Sequence, residues 1–292
     1  MTSTPSSSST HAITVMLIAM FLFACMDAVN KHLSYSYAIV QILWVRYVFF
    51  LGFAALVARH RTRVLVALRS RAVWLQIARA ILLILEIGVF VLALHYLPLA
   101  DVHAIAAVTP LLVTALSVPI LGERVGWRRW AAVVAGFIGV LIIVRPGFTA
   151  LDWRILLPLL GALLFALYQI MLRVVARYDK PETTLLYSAA VGTIVLSLVG
   201  PFDWRTPDAE GWMLLALAGL LGSCAHFALT KALELGEASR LQPYGYTLMV
   251  WAAVVGFLAF GQFPDAWTVM GGVLIAASGL YVFARERMRR GE

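Results

Sequence analysis

The chain has 292 residues, of which 62% are hydrophobic and 13% are charged, and its formal net charge is +8. Soluble domains are about half apolar and about one quarter charged, so this composition excludes a soluble globular protein and indicates an integral membrane protein. The positive charge does not indicate nucleic-acid binding, because Lys and Arg stand in short loops between apolar runs, where they set orientation in a membrane.

Ten apolar runs are candidates for membrane spans, since a helical span needs about 20 mostly apolar residues. They are predicted at residues 11–32, 38–58, 73–95, 98–121, 127–145, 153–176, 184–202, 211–234, 237–261 and 266–285. The Ser- and Thr-rich stretch 1–10 is predicted to be a disordered tail, and 286–292 a basic cytoplasmic tail.

The second half of the chain repeats the first after about 139 to 142 residues. The matched residues, first copy and then second, are Phe23-Ala24 and Phe165-Ala166, Lys31 and Arg173, Ala93-Leu94 and Ala232-Leu233, His103 and Gln242, and Gly122-Glu123 and Gly261-Gln262. We therefore predict two five-helix repeats, at 11–145 and 152–285, joined by a linker at 146–151. Such an internal repeat is typical of secondary transporters.

Small residues recur with one spacing in the fifth and tenth spans. They are Ala132, Gly136 and Gly139 in the first copy and Gly272, Ala276 and Gly279 in the second. Small side chains let helix backbones approach closely, so the two stripes are predicted to pack either within the protein or at a dimer contact. The chain is accordingly expected to be a monomer or a homodimer.

Orientation follows from the distribution of Lys and Arg between the spans. One set of loops carries 17 of these residues and the other set carries 4. Positive loops stay in the cytoplasm, so both termini are predicted to be cytoplasmic. Because each repeat has an odd number of spans, the second repeat must enter the membrane inverted.

Four ionisable residues of the first half stand inside predicted spans. They are Asp27, Arg46, Arg79 and Glu86, and their formal charges cancel. Such residues are costly in a membrane, so they usually face a cavity or a partner. Arg46 and Glu86 lie at similar depth and are predicted to pair. Two interpretations remain open: a buried ion pair that holds the first three spans together, and a direct role with substrate or proton.

The candidate polar residues inside the spans of the second half carry no permanent charge. His226 aligns within one residue of Glu86, and it is either a neutral side chain bonded to a neighbouring helix or a carrier of protons near neutral pH. The aligned residues His103 and Gln242 suit the lining of a path, and the alternative for His103 is a position near the outer surface. Pro110 and Pro243 each free a backbone carbonyl inside a span, which either binds a polar group or only accompanies a kink.

The region from Leu97-Pro98-Leu99-Ala100 through Thr109-Pro110-Leu111 to Leu121-Gly122-Glu123 resembles the EamA family of the drug/metabolite transporter superfamily. The repeat-related region of the second half fits the second copy of that family. It runs from Glu237-Ala238-Ser239 through Gln242-Pro243-Tyr244 to Gly261-Gln262, with Gln262 where the family has Glu. The resemblance covers nearly the whole chain. It implies an all-α membrane protein of ten helices, arranged as two inverted five-helix repeats around a central cavity, with the fifth and tenth helices at the periphery.

The resemblance also implies a function. Family members that resemble this chain export amino acids and related metabolites, and others carry nucleotide sugars, nucleosides, S-adenosylmethionine or drugs. We therefore predict an inner-membrane secondary transporter, not an enzyme, that exports a small-molecule substrate by alternating access, with neutral or aromatic amino acids first and a nucleoside, a polyamine or S-adenosylmethionine as alternatives. Membrane lipid is expected as surroundings, and no cofactor, metal or nucleic acid is expected.

Other function classes have weaker support in the sequence. A membrane-embedded enzyme is the main rival, but the chain has no HExxH motif, no G-x-S-x-G motif and no glycine-rich phosphate loop. A channel would need a ring of like charges or a filter sequence, and neither is visible.

The candidate substrate-binding residues are polar or aromatic positions inside the spans. Aromatic side chains that line a cavity favour aliphatic or aromatic ligands and can hold a cation on a ring face. The predicted set is Asp27, Asn30, Trp44, Arg46, Tyr47, Arg79, Glu86, His103, Gln169, His226, Gln242, Tyr244, Tyr246 and Trp251.

Overall fold

A computed structural model describes residues 7–61, 69–122, 125–145, 153–235 and 238–290. Within these ranges the protein is all-helical, as predicted. The twelve α-helices are α1 (Ser7–Leu33), α2 (Ile39–Arg61), α3 (Val73–Tyr96), α4 (Leu99–Ala106), α5 (Thr109–Leu121), α6 (Trp127–Val144), α7 (Leu156–Val175), α8 (Pro181–Val199), α9 (Ala209–Leu235), α10 (Ala238–Gly245), α11 (Thr247–Phe260) and α12 (Ala266–Arg290).

These helices make ten candidate spans. Nine segments of the described ranges are long and apolar enough to cross a membrane, and the apolar helix at Thr183–Val199 is shorter. The fourth span consists of α4 and α5, and the ninth consists of α10 and α11. The predicted arrangement of ten helices in two repeats therefore agrees with the helices observed.

The fourth and ninth spans break at matched positions. The break in the fourth span follows Ala106, with Ala107 and Val108 in a turn, and the break in the ninth span falls at Tyr246. Ala107 and Tyr246 are 139 residues apart, which is the repeat offset. The two spans also end alike, since Gly122 and Gly261 cap them in the left-handed conformation with φ of 69° and 65°. A side chain would strain that conformation, so glycine fits both positions.

Helices of one repeat pack mainly on helices of the other. The largest contacts join α1 with α9, α3 with α7, α2 with α8, and α6 with α12. Gly139 of the first stripe lies in the last of these contacts, where its backbone meets that of Gly271. Gly272 and Gly279 of the second stripe instead face Met249 and Tyr246 of the same repeat. The alternative of packing within the protein is therefore realised. One cluster of buried hydrophobic residues joins α4, α5, α6, α7 and α12 across the two repeats.

Several boundaries differ from those predicted. The helix predicted at 266–285 continues to Arg290, so most of the expected tail prolongs α12. The helix predicted from residue 11 begins at Ser7, which shortens the expected N-terminal tail. Polar residues that continue a helix beyond the apolar run carry no hydrophobic signal, so both helices are longer than their apolar runs indicate. Residues 1–6, the linker 146–151 and Glu123 lie outside the described ranges.

Candidate functional site

A large cavity occupies the space between the two repeats. Its volume is about 1670 Å³, and side chains from both copies line it. The lining reaches Leu56, Arg173, Asp179 and Lys231, close to where α2, α7 and α9 end. The cavity therefore opens at that end of the bundle, which the charge distribution predicts to be cytoplasmic.

Direct contacts close the opposite end. The amide Nε2 of Gln41 donates to the carbonyl of Arg205 over 2.7 Å, and the backbone N–H of Arg205 donates back to Gln41 Oε1 over 3.0 Å. Trp44 Nε1 donates to Ser197 Oγ over 2.9 Å. Helices α4 and α11 pack together there, and a Cβ added at Gly256 would lie 3.4 Å from Leu99 Cβ. These contacts join the two repeats across the closed end of the cavity.

Eight of the predicted residues line the cavity. Four of them, Asp27, Arg46, Glu86 and His103, are ionisable side chains of the first repeat, and the other four are Tyr47, Gln169, His226 and Tyr246. The spans thus bring together residues that are up to 219 positions apart, from Asp27 to Tyr246. Whether each of them touches a substrate stays a prediction.

The expected ion pair between Arg46 and Glu86 does not form in this structure. Asp27 instead pairs with His103, whose Nε2 lies 3.2 Å from Asp27 Oδ2. The contact has the distance of an ion pair but not the alignment of a hydrogen bond. The pairing of Arg46 with Glu86 was predicted because the two residues lie at similar depth in their spans. Depth alone does not determine the distance between side chains on two helices.

Arg79 lies outside the cavity lining and is fully buried. Its guanidinium donates to Tyr168 Oη over 3.1 Å, to the Thr184 carbonyl over 2.8 Å and to Ser188 Oγ over 2.7 Å. It also donates to Gln76 Oε1 and lies 5.3 Å from the centre of the Tyr168 ring. The residue therefore binds α3 to α7 and α8 through neutral acceptors, and the role of a structural anchor is the one its contacts support.

Five other predicted residues lie elsewhere. Asn30 is fully buried behind the cavity, and Trp44 lies at the closed end against Trp204. Tyr244 and Trp251 pack on α1, with the Trp251 ring 5.1 Å from that of Phe21. The side chain of Gln242 is outside the described part of the structure.

The backbone carbonyl that Pro110 was predicted to leave free already accepts a hydrogen bond. Proline lacks the N–H that would bond to Ala106, and the hydroxyl of Thr109 donates to that carbonyl over 2.7 Å. Pro110 therefore begins α5 after the break in the span, without a free carbonyl at Ala106.

The predicted set of binding residues leaves out several aromatic side chains of the lining. Phe50 and Phe90 follow Arg46 and Glu86 by four residues, so they lie one helical turn further along the same faces. The aromatic face at Phe50 continues to His226, whose ring centre is 6.0 Å away. The i, i+4 spacing from each charged residue was the available signal.

Comparisons with known proteins agree with this architecture. The EamA-like transporter family matches residues 10–145 and 152–284, which are the two repeats. A solved structure covers 97% of this chain and 99% of its own chain with a TM-score of 0.65 at 18% identity, which supports the fold alone.

Three curated relatives have names that refer to small molecules. A riboflavin transporter of Rhizobium johnstonii is 31% identical over 77% of this chain and 75% of its own length. An S-adenosylmethionine uptake transporter of Rickettsia prowazekii is 30% identical over 76% of this chain and 75% of its own length. A pseudopaline exporter of Pseudomonas aeruginosa is 26% identical over 91% of this chain and 93% of its own length.

Proposed function

The chain belongs to the EamA-like transporter family, and from that premise we propose that this multi-pass membrane protein carries a ring-containing metabolite by alternating access. The observation that carries the proposal is the cavity between the repeats, which is open at one end and closed by direct contacts at the other. Two inverted repeats can exchange their conformations, and the exchange would open the same central site to the opposite side.

The chemistry of the cavity supports a ring-containing substrate. Aromatic side chains from both repeats line it, among them Phe50, Phe90 and Tyr168, and charged groups of both signs stand between them. Ligand sites of this kind bind apolar ring systems through their walls and orient them through a few polar groups. Aromatic amino acids fit this description, and the resemblance of the sequence to family members that export amino acids supports them.

Larger substrates are the second candidate. The cavity volume of about 1670 Å³ exceeds what an amino acid needs, since sites for drug-sized ligands measure about 300–1,000 Å³. Relatives named for riboflavin and S-adenosylmethionine favour the same size class, because both molecules carry fused heteroaromatic rings. Export is the proposed direction, with the cavity facing the cytoplasm of a bacterial inner membrane in this conformation.

Counterflow in proteoliposomes tests the proposal. Vesicles loaded separately with unlabelled L-tryptophan, S-adenosylmethionine or riboflavin should accumulate the matching labelled compound transiently and saturably in at least one case. Gly161→Phe should reduce the flux, because Gly161 lines the cavity beside Phe90. Gly52→Phe is the matched control, since a Cβ at Gly52 meets nothing within 4 Å. Flux that is linear in concentration and shows no counterflow would contradict a carrier.

A further inference from the structure

Arg46 and Glu86 are opposite charges that face the same cavity without touching. They come from α2 and α3, and both side chains line the space between the repeats. The charge of Arg46 acts on Glu86, yet within the described ranges neither side chain has an ion pair or a hydrogen bond. Both charged groups are therefore directed at whatever fills the cavity.

The other two ionisable residues of the first-repeat spans, Asp27 and Arg79, have partners within the protein. Asp27 is paired with His103 at 3.2 Å, and Arg79 donates to four acceptors on its own and adjacent helices. An isolated charge inside a span is costly unless it meets water or a partner. Arg46 and Glu86 thus stand out as a separated pair that a ligand with two charges could bridge.

The surroundings of the pair leave space for such a ligand. Gly222 faces Arg46, and a Cβ there would lie 3.8 Å from Arg46 Nε. Phe50 and Phe90 stand one turn from Arg46 and Glu86 and supply apolar walls beside the two charges. An aromatic ring can therefore lie next to a charged head group.

We infer that Arg46 and Glu86 form a subsite for a zwitterionic head group, with a carboxylate bound by Arg46 and an ammonium group bound by Glu86. The inference rests on the proposed function and narrows its substrate to ring-containing metabolites that carry an α-amino acid group. L-Tryptophan and S-adenosylmethionine carry that group, and riboflavin does not. Guanidinium–carboxylate recognition is bidentate and specific, which suits arginine at this position.

A matched series of indole compounds tests the subsite. L-Tryptophan has both charges, tryptamine lacks the carboxylate and indole-3-propionate lacks the ammonium group. Wild-type protein should prefer L-tryptophan over each partial analogue by roughly tenfold or more, the usual effect of one hydrogen bond to a charged group. Arg46→Gln should abolish the preference over tryptamine only, and Glu86→Gln should abolish the preference over indole-3-propionate only.

The controls separate the subsite from the proposed function. Lys180→Gln removes an exposed charge outside the cavity and should leave both preferences unchanged. Equal losses for all three compounds in folded Arg46→Gln and Glu86→Gln protein would overturn the subsite. Counterflow of riboflavin without any binding of the indole series would overturn the subsite and preserve the transporter. Absence of counterflow with every compound would overturn the proposed function itself.

A second inference comes from Lys31 at the closed end. This side chain is 1% exposed, and its Nζ donates to the Leu94 carbonyl over 2.6 Å and to the Leu97 carbonyl. The ammonium group lies 5.5 Å from the centre of the Phe260 ring, and the charge of Asp101 acts on it. Lys31 thus joins the end of α1 to the junction of α3 and α4 and to the end of α11.

The repeat supplies a counterpart at the open end. Lys31 aligns with Arg173, and Leu94 aligns with Leu233 near the end of α9. Arg173 lies in the lining near the mouth of the cavity. Lys31 therefore lies where the bundle is closed, and its counterpart Arg173 lies where the bundle is open.

We propose that Lys31 and Arg173 act as alternating latches. Lys31 holds the outer end shut in this conformation, and Arg173 holds the inner end shut after the repeats exchange, by donating to backbone carbonyls at the end of α9. Loss of hydrogen bonds from a charged group should shift the ratio of the two conformations by about tenfold or more.

Cysteine reactivity in detergent measures this ratio. In protein with Cys25→Ser and Cys224→Ser, Ala176→Cys reports on the open mouth and Ala100→Cys, at a side chain 3% exposed, reports on the closed end. Lys31→Met should speed maleimide labelling of Ala100→Cys and slow that of Ala176→Cys. Arg173→Met should leave Ala100→Cys slow, since its removal favours the conformation already observed.

Lys180→Met removes an exposed lysine outside the cavity and is the matched control. Unchanged labelling of both reporters in folded Lys31→Met protein would overturn the latch. Phe260→Leu is the second test if Lys31→Met does not fold, because it removes only the ring beside the ammonium group. It should move both labelling rates in the direction expected for Lys31→Met, and unchanged rates would again overturn the latch.

Discussion

The charged side chains inside this bundle differ in what they contact. Arg79 is surrounded by neutral acceptors, Lys31 binds carbonyls at a helix junction, and Arg46 faces the open cavity. The first two contacts satisfy the charge within the protein, so their roles are structural or conformational. The third leaves the charge available to a ligand.

Removal of Arg79 should destabilise the protein. Arg79→Met removes the charged donor from the hydroxyls of Ser188 and Tyr168 and from the carbonyl of Thr184, which keeps only the Ser188 hydroxyl as a side-chain donor. We expect a loss of more than about 1.5–3 kcal/mol in the free energy of unfolding, since several hydrogen bonds to a charged group disappear together. Thermal or denaturant unfolding in detergent measures it. Arg128→Met, at an exposed side chain, should change stability by less than about 0.5 kcal/mol.

Asp179 should make stability depend on pH at the acidic end. Desolvation alone would raise its pKa, but hydrogen bonds from Ser70, the Arg71 backbone N–H and Gln76 outweigh it and lower the pKa below the ordinary 3.8. A lowered pKa in the folded state stabilises the protein above the unfolded pKa. That contribution is lost as the pH falls through the folded pKa.

The comparison of wild type with Asp179→Asn shows this directly. The difference in melting temperature should be constant near neutral pH and should shrink below about pH 4. Ser70→Ala removes one donor and should give a smaller difference in the same pH window. A difference that grows on acidification would contradict a lowered pKa of Asp179 in the folded protein.

Two glycines permit the close packing of helices α6 and α12. A Cβ at Gly139 would lie 2.8 Å from the Gly271 carbonyl oxygen, and a Cβ at Gly271 would lie 2.5 Å from the Gly139 carbonyl oxygen. Real side chains do not approach backbone so closely, so glycine at both positions permits the contact. The fifth and tenth spans therefore pack backbone to backbone.

Alanine at these glycines should separate the two helices. Gly139→Ala and Gly271→Ala should each lower the free energy of unfolding by about 1–3 kcal/mol, the usual cost of overpacking. Gly52→Ala is the control in α2, where nothing lies within 4 Å, and it should be neutral or stabilising because alanine favours the helix. Melting temperatures of the three variants test this prediction. Equal melting temperatures for all three would contradict the backbone contact between α6 and α12.

The orientation of the whole molecule remains a prediction from its charge distribution. One set of loops carries 17 Lys and Arg residues and the other carries 4. Lys31, counted in the smaller set, is buried in the structure, so the asymmetry at the surface is larger than the count. A single cysteine in the segment from Arg59 to Arg71 should react with an impermeant reagent only from the cytoplasmic side. Labelling from outside intact cells would reverse the topology.

The sequence by itself determined the membrane class, the ten spans and the repeat. These properties depend on local composition and on matches such as Gly122 with Gly261, and both can be read along one chain. Pro110 and Pro243 indicated a freed carbonyl or a kink in the fourth and ninth spans, and the structure located the breaks at Ala107 and Tyr246.

The tertiary structure decided which side chains meet. Asp27 and His103 are 76 residues apart, and Arg79 and Ser188 are 109 residues apart, so helix rotation and tilt bring them together. Periodicity gives the depth of a residue in its span but not the direction from which a neighbouring helix presents its partner. For that reason the sequence paired Arg46 with Glu86, while the packed helices place both in the cavity lining without an ion pair between them.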